Sequence, residues 1–552
     1  MAGHTAERAR QRCGWKMQPR YIANPELHRP EIRSSHCADV IEERKTNESV
    51  GAPVEAMPSP IPRNPPEAAQ KTAVAEAAAQ DRPQTESAAG LALAKPYHEL
   101  PVVAQPQEPG AVEAQGNIFG EGGERTFRTL MLRDTVFVLI SNQVGLGVLA
   151  LPGIMHTLGL APATIAIVGI GILSTYTAFE LLQLYRKYPH CANIVDMAKV
   201  VGGKPLEMVV AFGLMANMCL TCASASVTIS VALNTITDHR LCTVAWIGFA
   251  AAASWLLCLP RTFKFVALVG MPATACIIAS VLIVVVSLSL GSPRGAPEGY
   301  FDKDIKFVGN PGFKNGLRAV LNVCYAFAGN VGYPSLFPEM KNPSKHFYPA
   351  LVWLQIFTIP LYILVGLGIY LMAGQYTTSP ALGCAPEVPA KVAYGVVLPA
   401  VLSTALVFGH TAVKYMYVVL MRALQATEDV TAHSVTAWTA WVGSMTLFWS
   451  TVFILANAVP VFDSILSISS STFVAWFTFG IGSVFWFFLN QGRLLSTREK
   501  AALAVLNGLL ILQVLFMNGA GLWAAITNIM DVYERGEGGI RGPFTCADNS
   551  LF

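Results

Sequence analysis

From about residue 134 to 530 the chain is a succession of apolar runs, most of them about twenty residues or longer. A helix needs about 20 apolar residues to cross roughly 30 Å of hydrocarbon, so each run is long enough to span a bilayer. In lipid the backbone must satisfy its own hydrogen bonds, which leaves helices and closed barrels as the only spanning structures. Barrel strands read as short alternating segments, whereas these runs are continuous, and a barrel is excluded. Composition agrees: of 552 residues 53% are apolar and 13% charged, with mean hydropathy +0.46. A soluble protein of this length carries about twice that charge. The expected fold is an all-α polytopic membrane protein with about eleven transmembrane helices. They are placed near 134–156, 162–185, 205–235, 241–259, 266–290, 316–339, 348–373, 390–421, 434–457, 461–489 and 501–530.

Residues 1–125 are a different material. They hold 14 of the 34 prolines and alanine-rich tracts such as "EAAQKTAVAEAAAQ", a composition that buries no core. We expect a disordered cytosolic N-terminal tail over 1–125, a transmembrane domain over 126–530 and a short external C-terminal tail over 531–552. The first 40 residues contain no apolar signal-peptide core, so insertion is expected to begin at the first membrane helix. With the N-terminus cytosolic, the cytoplasmic loops hold twelve Lys and Arg against six in the external loops, which places the C-terminus outside. The sequon at Asn47 then sits on the unglycosylated side.

A net charge of +3 without a concentrated basic face gives no reason to expect a nucleic-acid partner. The eleven cysteines offer one CxxC, Cys219 and Cys222, with no second to pair with it; the two fall inside an apolar run, where they read as packing residues and not metal ligands. Cys242 and Cys384 both lie in expected external segments, where a disulfide is chemically allowed. No catalytic triad, metal cluster or GxxxxGK[ST] phosphate loop occurs, so we expect neither an enzyme nor an ATP-driven pump, and no cofactor.

Two of the runs are unlike the others. The first carries "ISNQVGLGVLALPGI" over residues 140–154, with Ser141, Asn142 and Gln143 in a row, then Gly145, Gly147 and Pro152. The sixth, "GLRAVLNVCYAFAGNVGYPSLFPEM", has Gly329, Gly332, Pro334 and Pro338 in its second half. Glycine packing explains either one alone. Two interrupted helices five spans apart point instead to a transporter built of two inverted five-helix halves with a midplane site. A break at Val144–Gly147 exposes amides at the positive end of the outer half-helix, where a carboxylate can dock. Free carbonyls near Ser141 and Asn142 can take an ammonium or a small cation, and a break near Phe327–Asn330 offers the same from the other side. A zwitterionic α-amino acid matches both ends.

These residues also resemble a known family. "SNQVGLGVLALP" is similar to the first-helix motif of the amino acid/auxin permeases, and "YAFAGNVGYPSLFPEMKNPSKHFYPAL" is similar to their sixth-helix motif and the loop after it. "LPRTFKFVALVG" resembles their turn between helices four and five. The likeness covers residues 126–530, and the long tail and composition look most like the fungal neutral amino acid permeases. The resemblance implies a leucine-transporter-type 5+5 inverted repeat and cation-coupled import of amino acids. It places Asn142, Val144, Gly145 and Gly147 of the first helix and Tyr325, Phe327, Ala328 and Gly329 of the sixth around the substrate. In sodium-coupled relatives a cation sits between the first-helix break and hydroxyls of helix eight, which here implies Asn142 opposite Ser403 and Thr404. Other members couple to protons, and the fungal likeness favours H+ over Na+.

Further polar groups lie within the runs. His410 and Lys414 share a face of helix eight; His410 is a candidate for proton coupling or a packing histidine, and Lys414 for snorkelling. Glu180 is expected to pair locally with Arg186 and Lys187, with a proton relay as the alternative. Asn217, Thr221 and Ser224 form a polar stripe expected to face the bundle, and "SILSISSST" at 464–472 is expected to bond across helices or line the path. The lining residues Val144, Leu146, Tyr325, Phe327 and Ala328 carry no charge, so neutral aliphatic and aromatic amino acids are the expected substrates. A receptor or channel on the same fold is the rival reading, and a twelve-helix sugar or drug carrier fits less well. Lipid is the other expected partner, with no obligate protein partner, and the plasma membrane is preferred over the vacuole.

Overall fold

The computed structural model describes residues 130–261, 264–297, 300–426, 433–536 and 542–550 and, within these, no side chain from 264 to 271. The tail 1–125 with its Asn47 sequon lies outside the described residues, as does most of the side-chain detail of "LPRTFKFVALVG". Among the described residues there is no β-strand; an isolated bridge joins Leu130 to Met340.

The elements in chain order are α1 Leu132–Gln143, α2 Leu151–Leu158, α3 Leu160–Lys187, α4 Ile194–Thr237, α5 Thr243–Leu257, α6 Lys264–Leu290, α7 Phe313–Ala326 and α8 Tyr333–Leu336. They continue as α9 Pro343–Ala373, α10 Glu387–Ala423, α11 Val435–Ala458, α12 Phe462–Ser469, α13 Ile481–Leu489, α14 Arg498–Phe516 and α15 Leu522–Arg535. Helical segments occur at all eleven expected positions. Eight of them are long and apolar enough to span a bilayer, and α1 with α2, bent by 48° at a short break, makes a ninth. α5, at 15 residues, and α7, at 14, fall short of that length. The chain is therefore an all-helical, multi-pass membrane protein.

One boundary differs from the sequence reading. α4 begins at Ile194 and not near 205, because the chain is already helical before an interruption at Gly202 (φ −130°, ψ 16°) and Gly203 (φ 63°, ψ −159°). Gly203 occupies the left-handed region that a Cβ disfavours, and Pro205 follows. The Asn193 side chain caps the early part by accepting from the Val195 and Asp196 amides.

The interior is dense with large side chains, among them Trp441, Tyr333, Tyr362, Phe327 and Phe347, all nearly inaccessible. The exterior is apolar too, with Ile165, Phe212, Leu364 and Val505 each more than 60% exposed. An apolar outer surface of this kind belongs against hydrocarbon. α10 packs chiefly on α4 and α6, while α1 and α2 pack on α9.

The end of the chain folds back onto the ends of α4 and α5. Cys242 is disulfide-bonded to Cys546, which corrects the Cys242–Cys384 pairing considered from sequence. Cys384 is a buried free thiol whose Sγ donates to the Ala381 carbonyl. The Thr243 hydroxyl donates to the Ala547 carbonyl (2.6 Å), and the buried Asn549 bonds Ser230 and Asn234 of α4, both at 2.8 Å. At the same end Lys391 pairs with Asp238 and Glu387, and it holds the Asp238 carboxyl below the usual carboxylate range by direct hydrogen bonding.

Candidate functional site

α1 stops at Gln143, where Val144 turns extended (φ −79°, ψ 90°) and Gly145 adopts φ −136°, ψ −147°. A 3-10 turn over Leu146–Ala150 leads into α2, whose Pro152 sits in the first turn, where a missing amide costs little. The second break is built alike. α7 stops at Ala326, Phe327 leaves helical geometry (φ −106°, ψ 20°), and a 3-10 turn over Ala328–Gly332 leads into α8, which has Pro334 in its first turn. Both expected interruptions are present at the expected residues.

The breaks meet. A Cβ built on Gly147 would lie 2.7 Å from the Ala326 Cα, so the first segment approaches the second backbone to backbone at that point. The polar triplet makes the joint around it. The Asn142 side-chain amide donates to the Gly329 carbonyl (3.2 Å), and the Thr274 hydroxyl on α6 reaches Ser141 Oγ (3.4 Å). Gln143 donates to Thr358 on α9 (3.2 Å) and accepts from the Tyr333 hydroxyl of α8 (2.9 Å).

A broken helix leaves its last carbonyls without intrahelical partners. Here the Tyr362 hydroxyl, on α9, lies 3.0 Å from the Gln143 carbonyl and 2.9 Å from the Ala326 carbonyl, the ends of α1 and α7. One buried phenol thus meets the terminal carbonyls of both broken helices. Sequence reasoning missed Tyr362, because a tyrosine in an apolar run reads as core, and it missed Tyr333 and Thr358 for the same reason.

The substrate residues expected from sequence divide into two groups. Val144, Leu146, Gly147, Phe327 and Gly329 are buried in the joint, while Asn142, Gly145, Tyr325 and Ala328 remain partly accessible. A Cβ on Gly145 would meet nothing within 4 Å, which marks open space beside it. Tyr325 faces Thr221 and Ser224 of α4, so the Asn217–Thr221–Ser224 stripe does turn inward, all three being buried. Asn217 also accepts from Ser469 (3.4 Å), Asn322 from Ser467 (2.9 Å), and Asn528 donates to Ser464 (3.2 Å). Those serines of the 464–472 run bond across helices.

Asn330, in the second break, anchors it to two further helices. Its side-chain amide donates to the Ser174 carbonyl (3.0 Å), Thr177 Oγ1 (3.0 Å) and the Thr478 carbonyl (3.1 Å), and its oxygen accepts from the Ser174 hydroxyl (3.2 Å). Thr478 lies in a π-helical stretch, Trp476–Gly480, between α12 and α13. Wide turns of this kind are frequent at functional sites.

Ser403 is buried on α10, and the Thr404 hydroxyl donates to the Ala400 carbonyl of its own helix (3.1 Å). Among the described residues no hydrogen bond joins either to Asn142. His410 is buried, with Nε2 2.9 Å from the Pro260 carbonyl and its ring edge-on to Trp441 (5.4 Å between centroids), which fits a packing role. Glu180 does not pair with its basic neighbours: Arg186 donates to the Ser344 carbonyl (2.7 Å), and Lys187 lies over the Tyr188 ring. A concavity of about 280 Å³ lies beyond the end of α3, lined by Tyr185, Arg186, Pro189, Lys341, Asn342, Pro343 and Ser344, none of them at a break.

Comparison with known proteins gives the same picture. Residues 128–527 match the model of the family described as transmembrane amino acid transporter protein. The chain is 28% identical over 434 residues to the N amino acid transport system protein of Neurospora crassa, covering 77% of this chain and 90% of that protein. It is 26% identical over 428 residues to a transmembrane transporter of Fusarium pseudograminearum, covering 77% and 89%. A transmembrane transporter of Gibberella moniliformis is 27% identical over 429 residues, with the same coverage. With two interrupted helices meeting at their breaks and a family match over most of its length, the chain belongs to the transmembrane amino acid transporter protein family.

Proposed function

We propose that the chain is a secondary active transporter that imports neutral amino acids, aliphatic and aromatic ones preferred, in symport with a cation, a proton in preference to sodium. The observation that carries this reading is the meeting of the two breaks at Gly147 and Ala326, with open space beside Gly145. Amides of the 3-10 turns that follow each break offer a dipole-favoured place for a carboxylate. The terminal carbonyls that the Tyr362 hydroxyl now meets offer a place for an ammonium. The partly accessible wall, Gly145, Tyr325 and Ala328, carries no charge to meet a charged substrate side chain. Support also comes from the Neurospora crassa protein, whose name is that of an amino acid transport system.

Import into the cell places the protein in the plasma membrane, with its N-terminus cytosolic and C-terminus external. On that side the Cys242–Cys546 disulfide meets an oxidising environment. The test is uptake of labelled leucine into proteoliposomes under separate proton and sodium gradients. Saturable accumulation driven by the proton gradient alone is expected. Binding without accumulation under either gradient would instead identify a receptor.

A further inference from the structure

We propose that Glu180 is the group that takes up and releases the coupled proton during transport, a role that rests on the transporter reading above. Glu180 lies in α3 within the expected membrane span, 1% exposed, and neither carboxylate oxygen has a hydrogen-bond partner. An ionised carboxylate buried without a cation is among the costliest groups a protein can hold, and an ionisable group at membrane depth is a functional candidate by default. The uncharged acid is the form this surrounding tolerates.

The groups facing it are few. From its own helix comes Tyr176, and from α14 comes Asn507. The two amide hydrogens of Asn507 are directed elsewhere, to the Tyr176 hydroxyl (2.7 Å) and the Leu503 carbonyl (3.0 Å). Asn507 Oδ1 is itself a buried acceptor without a donor. Tyr176 and Asn507 are thus the polar side chains beside the carboxyl, and neither brings a charge to it. From α13 comes Gly482, where a Cβ would stand 3.0 Å from the Thr177 carbonyl oxygen and 3.1 Å from Glu180 Oε2. Among the described residues no Lys, Arg, His or second carboxylate acts on Glu180.

Two features join this group to transport. Thr177, one turn earlier on α3, accepts from Asn330, the anchor of the second break. A change at Glu180 thus acts one helical turn from the substrate site. The 280 Å³ concavity begins at Tyr185, five residues further along the same helix, and gives a place for water to approach. In each cycle the carboxylate takes a proton from water on one side of the membrane, forms the acid, and returns that proton to water on the other. No other bond changes.

The test uses the full chain in proteoliposomes, with leucine as probe and a trapped pH dye. One proton per leucine across one pH unit supports about tenfold accumulation. In Glu180→Gln that ratio is expected to fall towards one and leucine-driven proton entry to vanish. Exchange of labelled for unlabelled leucine should remain measurable and no longer vary with pH. A Glu180→Gln protein that accumulates leucine with wild-type pH dependence overturns the proposal. If that variant fails to fold, Glu180→Asp, which keeps the acid, is expected to accumulate leucine with a shifted pH profile, and a superimposable profile overturns the proposal. Wild-type accumulation under a sodium gradient alone overturns the proton site and leaves transport standing, whereas binding without any accumulation removes both.

Discussion

Gly147 and Ala326 stand so close that a methyl group on the glycine would lie 2.7 Å from the Ala326 Cα. Backbone cannot yield as the tip of a flexible side chain can, so the first segment must move away to admit even alanine. Gly147→Val is therefore expected to abolish uptake. Gly145→Ala is expected to behave differently, because its Cβ enters open space. That variant should fold and reach the membrane normally but transport with a raised KM, since the new methyl occupies room meant for substrate. Surface labelling together with uptake kinetics separates the two. Normal kinetics in both would remove the first break from the site.

Tyr362→Phe removes the hydroxyl that meets the ends of both broken helices and leaves the Gln143 and Ala326 carbonyls without it. An unsatisfied buried acceptor costs about 1–3 kcal/mol. The variant is expected to lose thermal stability in detergent, and saturating leucine should restore part of it, because the ammonium can replace the lost donor. Unfolding followed with and without leucine checks this. A ligand-induced shift no larger than in the wild type would place the ammonium elsewhere.

His410→Gln is expected to leave the pH profile of uptake unchanged between about pH 5.5 and 7.5 while lowering stability by about 1 kcal/mol, the worth of an ordinary hydrogen bond. The imidazole bonds the Pro260 carbonyl and packs on Trp441, contacts that Gln keeps only in part. A flattened profile with intact binding would return the proton to His410.

Much of this was legible in the sequence, for reasons that can be named. Gly145, Gly147 and Pro152 interrupt one apolar run and Gly329, Gly332 and Pro334 the other, and the structure breaks both helices there. What escaped depends on partners distant in sequence. Tyr362 lies 219 residues from Gln143, and nothing in its own run marks the phenol as a cap for another helix. Cys546 was not seen as a partner for Cys242, because the return of residues 542–550 onto α5 leaves no periodic trace. Glu180 was matched to Arg186 by proximity in sequence, but residues six apart do not share a helix face. The start of α4 was missed because Gly202, Gly203 and Pro205 read as a loop where the chain only kinks.

The account stands or falls on what the two breaks recognise. The direct measurement is competition against labelled leucine by a panel of amino acids and blocked derivatives in proteoliposomes. An unpaired side-chain charge brought into an uncharged site costs several kcal/mol, whereas apolar surface gains about 25 cal/mol per Å². Neutral aliphatic and aromatic amino acids are therefore expected to compete at least about tenfold better than arginine, lysine, aspartate or glutamate, a difference of about 1.4 kcal/mol. Leucine methyl ester and N-acetyl-leucine should compete poorly, because each lacks one of the charges that the backbone dipoles meet. Strong competition by arginine, by glutamate or by the methyl ester would contradict the site placed between Gly145 and Ala328.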